Sequence, residues 1–200
     1  MRTVEPIRDI KKIRDMRMVL RYQSVRNELL FVLGINVGLR ISDMLALRVS
    51  DLIKENGKIK DAVVVTEKKT GKTKKFYLGD VVKKVLETYY KQVGPSLGDY
   101  VFRSRKGDNR PISRQQAYEI LNSAAESVGL VERDMNGRLI SGEIGTHSLR
   151  KTFGYWAYLN GTSLTLLMDI FNHSSERVTL AYIGITENQK KEVYLSSNLG

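Results

Sequence analysis

The sequence predicts a mainly α-helical domain with one small antiparallel β-sheet, an α+β fold. Three observations predict it. Apolar residues recur at helical spacing through most of the 200 residues. The only stretch with β-branched character lies between Ile53 and Leu78 and turns back on itself at Thr70-Gly71. At 42% apolar the chain can bury a stable core without cross-links, and its length suits one compact domain. No repeat, low-complexity run or linker divides it, so residues 1–200 are read as a single domain.

The elements follow in order. Ile7, Ile10, Ile13, Met16 and Leu20 form a stripe after Pro6, which suits a first helical turn. Tyr22-Gln-Ser should interrupt that helix. Residues 26–37 are apolar nearly all round, as in a buried helix, and should stop at Gly38. A short helix from Ile41 to Leu47 comes next. Asn56-Gly57 marks a turn, 62–66 (Ala-Val-Val-Val-Thr) a strand and 75–78 (Lys-Phe-Tyr-Leu) its partner. Val81, Val82, Val85, Leu86 and Tyr89 share one helix face. Ala117, Tyr118, Leu121, Ala124, Ala125 and Val128 share another, with Ser113 as its amino-terminal cap. Residues 129–145 hold four glycines and little periodicity, which predicts a loop. Leu149, Phe153 and Trp156 define a helix ending near Asn160-Gly161. Residues 163–171, 175–183 and 186–195 read as three short helices.

Composition excludes several functions. With no cysteine there is no disulfide, thiolate metal site or thiol nucleophile, and two histidines are too few for an all-His zinc site. The longest apolar stretch, Leu29 to Leu39, is too short to span a bilayer, and the amino terminus lacks a signal core. Neither cofactor, metal nor membrane is expected. The 33 basic and 22 acidic side chains leave a net charge of +11. The surplus is clustered. Residues 66–75 hold Lys68, Lys69, Lys72, Lys74 and Lys75 against one acid, Glu67. Residues 101–114 hold Arg103, Arg105, Lys106, Arg110 and Arg114 against Asp108, and residues 2–26 carry eight basic groups against three acidic ones. Clustering of this kind points to a nucleic acid partner rather than to simple solubility.

Five segments place polar groups where a helix does not need them. Arg40 follows Gly38 at a helix start, where a cation opposes the helix dipole. Lys69 sits at the hairpin turn. His147 and Arg150 are three apart and share a helix face. His173 falls in a turn between helices, and Tyr182 lies nine residues further on. Taken singly each is ordinary: a hairpin lysine is solvated, and a helical tyrosine is core. Together, in this order on a basic helical domain, they form a recognisable set. From about Ile7 to the carboxyl end, the sequence resembles the catalytic domain of tyrosine recombinases, the phage-integrase type of site-specific DNA recombinase. The matching motifs are Gly-Leu-Arg-x-x-Asp with a following Leu-x-x-x-Asp-Leu, a Lys-Thr-Gly hairpin, His-x-Leu-Arg-x-Thr-Phe, and Asn-His-Ser-Ser followed by Tyr-Ile.

The resemblance implies the integrase catalytic fold and DNA cleavage and rejoining through a 3′-phosphotyrosyl intermediate, without metal or ATP. It implies double-stranded DNA as substrate, a homotetramer on DNA and a cytoplasmic location in a prokaryote or phage. Position by position, Arg40 and Arg150 correspond to the catalytic arginines, Asp43 to an acid bracing Arg40, and Lys69 to the proton donor for the leaving 5′ oxygen. Lys68 and Lys72 stand beside Lys69 as alternatives. His147 corresponds to the base, His173 to a donor toward a phosphate oxygen, and Tyr182 to the nucleophile. These types suit the task. Guanidinium stays charged and presents a planar fork to phosphate oxygens, and neighbouring cations make a phenol easier to ionise.

The resemblance also sets expectations that depart from the family pattern. Phe171-Asn172 replaces the usual Leu-Gly before the late histidine, and Asn tolerates the left-handed turn a glycine would supply. Residues 1–6 would form an arm. The usual amino-terminal core-binding domain is absent from this sequence. Residues 184–200 would form a tail, either exchanged between subunits or folded back. Type IB topoisomerase activity and a non-catalytic DNA-binding regulator are the rival functions.

Overall fold

The structure, a computed structural model, describes residues 4–142, 144–185 and 195. The carboxyl-terminal helix anticipated over 186–195 and the exchange of the tail lie outside the described residues, apart from residues 184, 185 and 195.

Helix α1 spans Ile10–Gln23 and is capped by the Asp9 carboxylate, which accepts the Lys11 and Lys12 backbone N–H groups. The helix thus begins later than Pro6 suggests. The reason is tertiary. Ile7 donates its backbone N–H to Thr152 Oγ1 at 2.9 Å, and its carbonyl accepts Trp156 Nε1–H at 2.9 Å. Those bonds hold Ile7, fully buried, outside α1 and against a later helix. Tyr22-Gln23 do not interrupt α1. The break is Ser24 alone, whose extended backbone (φ −174°) ends α1 and whose hydroxyl caps α2, Val25–Val37.

Helix α2 is the centre of the molecule. Leu29 to Leu33 are all buried, each such side chain contributing roughly 1.5–3 kcal/mol. It packs against α1, α5 (Asp80–Val93) and α7 (Ser148–Leu159). Gly34 lets α7 approach: a Cβ there would collide with Leu149. Gly38 closes α2 in the left-handed conformation (φ 60°), as the sequence predicts, and its bare α-carbon receives the Phe153 ring. Helix α3 (Ile41–Leu45) follows, and then a single turn, α4 (Val49–Leu52), too short to announce itself by periodicity.

Strands β1 (Ala62–Thr66) and β2 (Thr73–Tyr77) pair antiparallel, Val63 opposite Phe76, and these two side chains face the core. Helix α6 (Arg114–Ser127) has its Ser113 cap, reinforced by Gln116 in a capping box. The segment predicted as a loop contains a second hairpin, β3 (Glu132–Arg133) and β4 (Leu139–Ser141). Its strands are too short and polar to show alternation, and Asp134 organises the turn by accepting the Asn136 and Arg138 N–H groups. Helices α8 (Leu164–Phe171) and α9 (Glu176–Ile183) start at their serine caps, Ser163 and Ser175. Leu167, Phe171 and Ile183 form a second small core with Phe153 and Tyr182 against it. No helix among the described residues is long and apolar enough to cross a membrane.

Candidate active site

Arg150 is the most deeply placed cation of the site, 3% exposed in the first turns of α7. Its guanidinium donates to the carbonyl oxygens of Gly38, where α2 ends, and of Phe171, where α8 ends (3.1 Å for the latter). It also lies over the Phe171 ring, 4.6 Å from the centroid. Three helices therefore fix one side chain. The Gly38 carbonyl is available because the left-handed residue ends the helix there, which connects the Gly-Leu-Arg motif to the His-x-Leu-Arg motif physically.

Tyr182, near the end of α9, comes to this arginine within one protomer. Its ring packs against Phe171 (5.4 Å between centroids) and edge-on against His173 (4.9 Å). Burial raises the phenol pKa, while the charge of Arg150, a hydrogen bond from it and the charge of Arg40 pull the other way. The net result is a phenol above its ordinary value, so a base must take its proton. Lys151, itself buried, places its ammonium 5.4 Å from the Tyr182 ring centroid. The sequence reading did not single out Lys151, although it directly follows Arg150.

His147 opens α7 and His173 follows α8. Both imidazoles titrate below their ordinary value. For His147 the causes are burial and then the charges of Arg150, Lys151, Arg40 and Lys69; for His173, burial and then Arg150 and Arg40. Both are neutral near pH 7. Asn172 adopts the left-handed conformation (φ 54°, ψ 50°) and bonds the end of α8, so the turn survives without glycine. His173 Nδ1 lies 3.2 Å from Thr179 Oγ1, while the Thr179 hydroxyl lies 3.2 Å from the Ser175 carbonyl. A hydroxyl has one proton. While Thr179 donates to Ser175, His173 Nδ1 carries the hydrogen, and Nε2 gains one only by protonation or by a turn of that hydroxyl.

Arg40 caps α3, and its Nη1 lies 2.6 Å from Glu67 Oε2. Asp43 does not brace Arg40 in this way: its Oδ1 accepts the Lys68 backbone N–H at 3.0 Å, while Oδ2 is buried without a hydrogen bond. The bracing carboxylate is Glu67, 4% exposed, which also accepts the Thr70 hydroxyl at 2.8 Å. Burial pushes the Glu67 carboxyl up. The ion pair with Arg40, the hydrogen bond from Thr70 and the charge of Arg150 outweigh it and leave the group below its ordinary value. The sequence held a signal for Glu67: it is the lone acid in the lysine-rich run.

The hairpin lysines separate by role. Lys69 is exposed at the turn and close enough to His147 to lower its pKa. The Lys68 backbone is tied to Asp43, and Lys72 Nζ donates to Asn172 Oδ1 at 2.6 Å. Lys74 Nζ donates to the Ile170 carbonyl at 3.0 Å, and burial with the Arg150 charge lowers its pKa to about 8. The structure thus links Arg40, Lys69, His147, Arg150, His173 and Tyr182 through contacts or mutual electrostatic influence.

The sequence of the phage integrase family, taken as a family model, matches residues 8–189. The chain belongs to the phage integrase family. Its members break and rejoin DNA. The chain is 40% identical over 194 residues to the probable integrase/recombinase YoeC of Bacillus subtilis, covering 97% of each chain. It is 27% identical to the tyrosine recombinase XerD of Oceanobacillus iheyensis, covering 94% of this chain but 59% of that relative. Its fold matches the XerH site-specific recombinase bound to palindromic difH substrate with a TM-score of 0.69 and 18% identity, over 96% of this chain and 53% of the other. The mainly α fold with small antiparallel sheets is shared with the matched part of that recombinase.

Proposed function

We propose that this member of the phage integrase family carries out site-specific recombination on double-stranded DNA through a covalent Tyr182 intermediate, as a homotetramer on its DNA and in the cytoplasm. One observation carries the reading: Tyr182, His173 and Arg150 meet around Phe171 in one protomer, the Tyr182 ring 5.4 Å from Phe171 and 4.9 Å from His173, and the Arg150 guanidinium 4.6 Å from the Phe171 ring. Nothing about DNA binding alone calls for a phenol in that position.

Tyr182 Oη attacks the phosphorus and forms a phosphotyrosyl bond at the 3′ side while the bond to the 5′ oxygen breaks. His147, neutral near pH 7, takes the phenol proton. Arg40 and Arg150 stabilise the charge that builds on the non-bridging oxygens. His173 donates to one of those oxygens; approach of the dianionic transition state favours its protonated form. The Lys69 ammonium gives a proton to the departing 5′ oxygen. Reversal by a 5′ hydroxyl from another strand rejoins DNA, and because the phosphodiester's energy is kept in the tyrosyl bond, no nucleotide is consumed.

The test is covalent trapping on a nicked suicide duplex. Tyr182→Phe removes the adduct and leaves DNA affinity within a few-fold. An adduct that persists in this variant overturns the assignment of the nucleophile. Relaxation of supercoiled plasmids of any sequence would instead support topoisomerase action, and binding without an adduct in the wild-type chain a regulator.

A further inference from the structure

Two hairpin lysines reach the turn that carries His173. Lys72 Nζ bonds Asn172 Oδ1 at 2.6 Å across 100 residues of sequence, and Lys74 Nζ bonds the Ile170 carbonyl at 3.0 Å. The opposite side of the same hairpin is tied to α3 and its cap, through Glu67 to Arg40 at 2.6 Å and the Lys68 N–H to Asp43 at 3.0 Å. The segment between these ties holds Lys69, exposed and with no side-chain hydrogen bond or ion pair among the described residues.

Asn172 needs an explanation beyond its backbone. Its left-handed conformation is one that glycine adopts at no steric cost. What asparagine adds is an amide oxygen, and that oxygen holds Lys72. Both side chains are exposed, so the contact contributes little to folding stability. Its consequence is geometric: it sets the distance between the residue-69 turn and the residue-173 turn. We propose that Asn172 and Lys72 form a latch that positions Lys69 for proton transfer to the leaving oxygen. Both are positioning residues; neither touches the reacting atoms. The proposal rests on the reading of Lys69 as the proton donor.

The experiment uses the full chain and two nicked suicide duplexes, one ordinary and one in which sulfur replaces the bridging 5′ oxygen. Sulfur leaves without a proton, so only steps that need the donor are relieved. Lys69→Ala should slow cleavage of the oxygen substrate by roughly 10²–10⁴-fold and leave the sulfur substrate fast. Asn172→Gly, which suits the left-handed backbone, and Lys72→Ala should each slow the oxygen substrate by about ten- to hundredfold. Both should cleave the sulfur substrate at the wild-type rate. The double variant should be no slower than either single one, and Asn172→Asp, which keeps an acceptor for Lys72, should restore most of the rate. Equal slowing on both substrates, or none on either, overturns the latch. Failure of sulfur to rescue Lys69→Ala overturns the donor reading itself, which is a separate result.

Discussion

Arg150 and Lys69 are held in opposite ways. Arg150 is buried and joins the ends of two other helices through backbone carbonyls that the helices themselves leave unbonded. Lys69 sits exposed on a two-stranded hairpin, held only through its neighbours' contacts. The difference suits the roles proposed for them. A group that stabilises the transition state must already be in place, because reorganising it during the reaction raises the barrier. A group that delivers a proton needs access to the leaving oxygen. The helix ends supply the floor of the site, and the hairpin supplies an exposed wall.

The strongest way to break this comparison is at the floor. Arg150→Ala should reduce cleavage by at least the 10²–10³-fold seen for a lost oxyanion donor, and it should also destabilise the fold. The carbonyls of Gly38 and Phe171 lose a charged donor in a buried setting, a loss of roughly 2–4 kcal/mol. Lys69→Ala should impair cleavage without changing the urea midpoint. If urea unfolding shows the two variants equally stable, Arg150 is not the structural hub described here.

Most of this was legible in the sequence. Buried helices announce themselves by period, and Gly38, Ser113, Ser163 and Ser175 mark ends because caps have narrow chemistry. Where the reading failed, long-range contacts had decided the matter. Thr152 and Trp156 hold Ile7 out of α1 from about 145 residues away, which no local pattern encodes. The second hairpin has strands of two and three residues, below the length at which alternation is visible. The six residues proposed for the site stand out in the sequence by their types and order. Their supports were misread. Asp43 stands one helical turn from Arg40 and looks like its partner, but the carboxylate that meets Arg40 comes from the β-hairpin.

Glu67 joins the two regions, so altering it sharpens the comparison with an intermediate effect. Glu67→Gln keeps an acceptor for Thr70 but removes the charge opposite Arg40. Cleavage should fall about tenfold, corresponding to roughly 1.4 kcal/mol of lost positioning. The pH dependence carries a sign. The carboxyl is held below its ordinary value in the fold, so its contribution to stability is present at neutral pH and is lost as pH falls through that depressed value. Unfolding midpoints of wild type and Glu67→Gln should differ at pH 7 and converge in acid. A difference that persists in acid would mean that the ion pair does not join hairpin to floor.

The smallest effect concerns Lys74, the part of the hairpin that comes nearest to being floor. Its pKa of about 8, against an ordinary 10.5, reflects burial first and the Arg150 charge second; Arg40 adds to the lowering, and Glu67 and Asp43 oppose it. Below pH 8 both folded and unfolded chains hold this proton, so the fold bears the full cost of a buried charge. Between about 8 and 10.5 the unfolded chain binds more protons, and stability from this group rises with pH. Lys74→Met removes the charge and also the bond to the Ile170 carbonyl, a loss of about 1 kcal/mol. At pH 7 the relief is larger, and the variant should be more stable than wild type by on the order of 1–2 kcal/mol. Toward pH 10 the advantage should vanish, because the wild-type lysine is by then neutral in the fold. Urea unfolding of both proteins at the two pH values decides the point. A difference that does not change with pH would place Lys74 in solvent, and the whole hairpin, rather than only its tip, would then be exposed wall.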